Sequence, residues 1–174
     1  MDNTFDKVVS NRRSVRSFQR DIEVDDQQLE YIMKICDLAP SSGGLQTFEI
    51  YRIKSENLKQ KLANAAHDQQ YVAEAPLLLV FCANPLRSLD AFGERKYLFS
   101  VQDATIAAAY AQLAACSLGL SSVWIGSFDE DRVAEIIGLP KGYRPVAILL
   151  IGYSSEKPQE KITRGSADLL HIID

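Results

Sequence analysis

Apolar residues recur along this chain in two rhythms, a beat of three to four positions and short unbroken runs, and the two interleave from one end to the other. Leu29, Ile32, Met33 and Cys36 keep the helical beat and would bury one stripe. Just ahead of them Asp25 is followed three residues later by Gln28, a spacing that lets the two side chains and the two backbone amides cap one another. Pro40 stops that helix, because it has no N–H to continue the ladder. Phe48 to Ile53 alternates apolar and polar residues and predicts a half-buried strand. Ser55 then caps a helix carrying Leu58, Leu62 and Ala65 on one face.

The run Leu77-Leu78-Leu79-Val80-Phe81-Cys82-Ala83 has no polar member, which predicts a strand buried on both faces. From about Val101 to Leu118 the chain is rich in alanine and closes on Gly119, the pattern of a helix with a glycine stop. Its Ala104, Ala107, Ala108, Ala111, Ala114 and Ala115 fit two readings. They form a core helix, or a face that another backbone or a flat ring approaches closely. Asp129 caps a short helix ending near Gly138, and Val146 to Ile151 is a second wholly apolar strand. Thr4 to Asn11 completes the set as a short N-terminal helix. Strands mixed with helices through irregular loops predict an α+β fold rather than a doubly wound parallel sheet.

Composition narrows the class. A chain of 174 residues, 47% hydrophobic and without a Pro/Gly/Ser-rich linker, is expected to fold as one domain over residues 1–174. The net charge of -4 argues against a nucleic-acid partner, whose binding domains carry an extended basic face. No apolar run reaches membrane-spanning length and the start lacks a signal-peptide pattern, so no membrane partner and a cytoplasmic location are expected. Cys36, Cys82 and Cys116 are odd in number, widely spaced and set in apolar segments, and read as buried small hydrophobes. With His67 and His171 also isolated, no metal site is expected.

Against that acidic background the segment Arg12-Arg13-Ser14-Val15-Arg16 stands out. Guanidinium groups match phosphate geometry, and in an extended strand Arg12, Ser14 and Arg16 share one side while Arg13 and Val15 face the other. Taken alone it is either a solvated basic turn or an anion site. Dinucleotide-binding turns, phosphate loops, nucleophile elbows and paired-histidine helices are absent from the sequence. An enzyme of this composition would borrow its reactivity from a cofactor.

Four segments occur in one order: Arg12 to Phe18, Ala39-Pro40-Ser41-Ser42-Gly43-Gly44-Leu45-Gln46, Trp124-Ile125-Gly126-Ser127-Phe128, and Arg144-Pro145-Val146-Ala147 running on to Gly152-Tyr153. With them the chain resembles the FMN-dependent nitroreductase family. The resemblance implies a mostly antiparallel mixed sheet flanked by helices, in a homodimer with flavin sites at the interface. It implies noncovalent FMN and a ping-pong passage of a hydride from NAD(P)H, by way of flavin N5, to a nitroaromatic, quinone or similar small acceptor. No side chain is singled out as catalytic, since flavin N5 would be the reactive centre. The rival function is a flavin-binding or electron-exchange protein without NAD(P)H turnover.

The same resemblance assigns Arg12 to the cofactor phosphate, Arg13 and Ser14 to the ribityl chain and ring, and Arg16 to the pyrimidine edge. Arg164, with Lys161 as the weaker candidate, would supply the second phosphate ligand. Pro40, Ser41, Ser42 and Gly43 would reach the partner subunit's flavin, and the amides of Ile125 and Gly126 would face N5 and O4. The chain departs from the family pattern at Gly44, where Asn is common, and at Thr47-Phe48, where Pro-Trp is common. The alanine face of the long helix and the apolar Leu169 to Ile173 segment are read as surfaces for the second subunit.

Overall fold

A computed structural model describes residues 4–88, 91–157 and 159–173. Helix α1 spans Thr4–Asn11 and α2 spans Asp26–Asp37; after a turn at Ser42–Gly44 come strand β1, Phe48–Ile53, and helices α3, Glu56–Ala65, and α4, Tyr71–Glu74. Strand β2 is Leu77–Ala83, helix α5 Lys96–Ser117, strand β3 Ser121–Ile125, helix α6 Glu130–Ile137 and strand β4 Arg144–Gly152. The strands form one sheet in the order β1-β2-β4-β3, every pair antiparallel. Among the described residues a parallel component enters where Ser14 bridges Ser122.

Burial follows the alternation of the strands. Leu78, Val80, Cys82, Ile148 and Leu150 face Leu62, Ala63, Val72 and Val133 of α3, α4 and α6. Leu77, Leu79, Phe81, Leu149 and Ile151 face Ile32 and Cys36 of α2 and the alanines of α5. The molecule is therefore three layers deep, with β2 and β4 covered on both sides, as their unbroken apolar runs require. The capping box at α2 is formed: Gln28 N–H donates to Asp25 at 2.7 Å and Asp25 N–H donates back to Gln28 Oε1 at 3.1 Å.

Two element boundaries move outward from the sequence reading. Helix α5 begins at Lys96, because the turn Gly93–Arg95 feeds directly into it. Strand β4 begins at Arg144 and runs through Pro145, which the sheet tolerates because the β2 register shifts there, opposite Phe81 and Cys82. All six alanines of the α5 stripe are buried within the chain, five of them in the cluster formed with the sheet and α2. That settles them as core residues and corrects the expectation that this face packs against a second subunit. No helix among the described residues is long and apolar enough to cross a membrane.

Candidate functional site

Residues 12–18 leave the end of α1 as an extended segment beside the edge strand β3. Val15 N–H donates to Ser122 O at 3.1 Å, and Val15 and Phe18 bury their side chains in the core next to α3 and α6. Two apolar anchors thereby hold Ser14 and Arg16 outward. Phe18 bridges Ser154 just past β4, and a Cβ on Gly152 would come within 3.1 Å of the Phe18 ring and 2.9 Å of Pro76, so only glycine lets this segment dock.

A cleft of about 180 Å³ opens there, lined by Arg12, Arg13, Ser14, Arg16, Gln159, Glu160 and Lys161. The three arginines in it have different duties. Arg13 spends its guanidinium on the chain's own carbonyls, donating to Gln159 O at 2.7 Å, to Arg12 O at 2.9 Å and to Ser10 O. It thus ties residue 159 of the tail to the end of α1. Lys161 adds a second tie, donating to Val9 O at 3.2 Å. Glu156 accepts the Arg16 backbone N–H at 3.0 Å. The guanidinium groups of Arg12 and Arg16 have no hydrogen-bond or ion-pair partner among the described residues. Arg164 does not line the cleft and is exposed in the tail.

The loop after α2 is built on left-handed backbone. Gly43, Gly44 and Gln46 have φ of 59°, 71° and 48°, a region natural for glycine and costly for glutamine. Asparagine tolerates that conformation better than most residues, so glycine and asparagine are both compatible with the backbone at position 44. Ser41 Oγ accepts from Gln46 N–H at 2.9 Å, and the Gln46 amide donates to Asp37 O at 2.8 Å. Asp103 of α5 holds both ends of the turn. Its Oδ1 accepts from Ser42 N–H and Ser42 Oγ at 2.9 Å each, and its Oδ2 from Thr47 Oγ1 at 2.6 Å and Thr47 N–H at 3.3 Å. Sequence reasoning missed Asp103. The signal was there, since it stands four residues before Ala107 on the line that the buried alanines follow.

Pro40, Ser41 and Ser42 line a different cavity, of about 540 Å³, with Gln102, Asp103, Thr105 and Ile106. The arginine segment lies at the other end of α5, where Cys116 Sγ donates to Val8 O at 3.4 Å. From Asp103 to Cys116 the helix rises about 20 Å. Within one chain the loop and the arginine cleft are therefore kept apart.

The end of β3 divides the remaining pair. Ser122 turns its carbonyl to Val15, and antiparallel alternation gives Trp124 the same direction while Ile125 turns its backbone toward β4. Gly126 follows directly on the end of this strand. Trp124 packs its ring on the α2/α5 side of the sheet. Burial pushes the thiols of Cys36 and Cys82 up to about 12, which leaves neither fit as a nucleophile. Cys116 is also raised by burial, with Arg12 and Arg13 pulling it back down, so these cations project their field onto α5.

The chain is similar to known proteins over most of its length. A family model described as the nitroreductase family matches residues 9–153. The FMN reductase [NAD(P)H] of Bacillus subtilis is 31% identical over 169 residues, covering 89% of this chain and 68% of its own length. The oxygen-insensitive NADPH nitroreductase of Salmonella typhimurium is 32% identical over 163 residues, covering 89% and 68%. Among solved structures, nitroreductase A from Vibrio parahaemolyticus superposes with a TM-score of 0.92 at 28% identity, covering 100% of this chain and 78% of that one.

Proposed function

The chain belongs to the nitroreductase family, and from that premise we propose that it is a single-domain, FMN-dependent oxidoreductase that takes a hydride from NAD(P)H and passes reducing equivalents to a small acceptor, a nitroaromatic or quinone, in a ping-pong cycle. The observation that carries the reading is the pair of guanidinium groups, Arg12 and Arg16, left without partners among the described residues on either side of Ser14 in a cleft of about 180 Å³. Permanent cations left without partners in an acidic protein fit an anionic ligand. The cleft has room for a phosphate and part of a polyol but not for a three-ring system, which would lie beyond it.

FMN, when bound, supplies the centre that accepts and donates the hydride. The protein's part is to bind, orient and polarise. Arg12 holds the phosphate, with Lys161 beside it in the cleft; Arg164 is kept as the alternative second ligand. Ser14 serves the polyol. Arg13 ties down the tail through its three carbonyl partners and, as a lining residue of the cleft, stays a contact for the polyol beside Ser14. Arg16 lies near the ring edge that gains negative charge on reduction, and a cation there raises the reduction potential. The Gly126 amide offers a donor that cannot titrate. Pro40, Ser41, Ser42 and Gly43 come from a second copy of the chain. Support for the homodimer is geometric: one ligand that touches both the loop and the cleft needs two chains, because α5 separates them.

Arg12→Ala should weaken FMN by about 1.5 to 3 kcal/mol, the worth of a hydrogen bond to a charged group, and leave riboflavin nearly unaffected. Arg16→Ala should lower the midpoint potential more than it weakens oxidised FMN. Flavin titration of both variants, redox titration and stopped-flow mixing of the holoprotein with NADH and NADPH are the measurements. Equal losses of FMN and riboflavin on Arg12→Ala would refute the phosphate assignment, and a flavin bleached only by dithionite would refute the NAD(P)H oxidoreductase.

A further inference from the structure

We propose that Asp103 is a positioning residue, whose buried carboxylate sets the shape of the Ser41 to Thr47 loop and the hydrogen-bond polarity that the loop offers to a bound flavin. The proposal rests on the flavin reading above for its ligand and on the loop geometry for everything else.

Asp103 is 1% exposed, and a carboxylate taken out of water is costly unless donors fill its lone pairs. Four donors do so, two on each oxygen, and among the described residues all of them come from Ser42 and Thr47. The dependence runs both ways. The loop contains three left-handed residues within four positions, one of them a glutamine, a backbone that holds its shape only when surrounding contacts impose it. Thr47 makes this clamp particular to the chain: proline, common at this place in the family, has neither the N–H nor the hydroxyl that Thr47 gives to Asp103.

The clamp also decides what the serines present. The Ser42 hydroxyl proton is committed to Asp103, so toward a ligand Ser42 Oγ can only accept. Ser41 Oγ accepts from Gln46 N–H and keeps its own proton to donate. Two adjacent hydroxyls therefore carry opposite polarity at the rim of the cavity of about 540 Å³. Such a rim suits a ring edge on which donor and acceptor atoms sit side by side, as they do on the imide of a flavin.

The test uses the full-length protein, with amide hydrogen exchange and with titrations of FMN and riboflavin. Asp103→Asn keeps the side-chain volume but sets an NH2 against a backbone N–H of Ser42 or Thr47. Those two amides should then exchange about tenfold faster or more, while amides of β2 and β4 keep their wild-type protection. Affinity for FMN and for riboflavin should fall by the same factor, because the loop lies outside the phosphate cleft. Thr47→Val removes one hydroxyl and should act in the same direction to a smaller extent, and Thr47→Ser should restore wild-type behaviour. These two variants decide the matter if Asp103→Asn does not fold. Unchanged exchange at Ser42 and Thr47 in the folded variants overturns the clamp, and so does a failure of Thr47→Ser to restore it. Faster exchange with unchanged flavin affinity overturns the role toward the ligand. A wild-type protein that takes up neither flavin defeats the functional reading and this ligand role together, while the exchange rates still decide the clamp.

Discussion

Arg12 and Arg13 are adjacent, identical in chemistry and opposite in use. Arg13 donates to three carbonyls of the chain itself, whereas the Arg12 guanidinium has no partner among the described residues. The alternation of polar and apolar positions foretold that Ser14 and Arg16 would face out and Val15 in, because the period of two is a local property of extended backbone, but it set Arg13 on the side of Val15, whereas Arg13 lines the cleft with Arg12, Ser14 and Arg16. It could not foretell that the Arg13 carbonyl partners include Gln159, which lies 146 residues away. The cysteines behave as their apolar surroundings suggest. With Cys36 and Cys82 at about 12 and buried, an aromatic disulfide reagent at pH 8 should spare both in the native protein and modify all three cysteines after unfolding. Cys116, half-buried and within the field of Arg12 and Arg13, should be the first to react. Peptide mapping after a short pulse checks the order, and early labelling of Cys36 or Cys82 would contradict the buried placement.

Elements whose own residues bury or cap them were the legible ones. Strand β2 is buried at every position and was plain from its unbroken apolar run; α2 was plain from its stripe and its capping box. Helix α6 carries Asp129 as its N-cap, as read, and adds a contact that no local pattern announces. Glu130 in its first turn accepts two hydrogen bonds from Arg144 at the start of β4, at 2.7 and 2.8 Å. The Arg144 hydrogen bond is the main reason that the Glu130 carboxyl lies below its ordinary 4.5, against a smaller opposing effect of burial. A carboxyl lowered by folding stabilises the native state above its unfolded value, and that contribution is lost as pH falls through the lowered one. Both side chains are substantially exposed, so the pair is worth only about 0.5 kcal/mol. Glu130→Gln should accordingly lower stability by that small amount at pH 7, with the gap to wild type closing below pH 4.5. Urea unfolding across that range measures it, and a gap that stays constant down to pH 3 would remove the pair from the account.

At the scale of the whole molecule, the three layers leave specific surfaces uncovered. The outward line of α5 carries Leu98, Thr105, Ala109 and Leu113, and the tail holds Leu169, Leu170, Ile172 and Ile173, from 59% to 94% exposed. With the alanine stripe inside, these are the apolar surfaces that the proposed dimer would cover. A stable dimer of the proposed kind would bury about 2,000 Å² or more. Light scattering with absorbance in the flavin band should give twice the 19.4 kDa chain mass and one flavin per chain. A monodisperse monomer that retains stoichiometric flavin would sink the shared site.

The sequence by itself determined most of the elements, though neither α4 nor β3, together with the two buried strands, the capping residues and the segment that carries the arginine cluster. Each of these follows from residues within one or two turns of each other, where periodicity and backbone chemistry act. Tertiary structure alone decided that the alanines of α5 are core, that Arg13 holds the tail, that Asp103 clamps a loop 61 residues away, and that loop and cleft lie at opposite ends of one helix. Those are contacts between distant segments, and which donors meet which acceptors is settled only when the layers pack and every buried polar group has to find a partner.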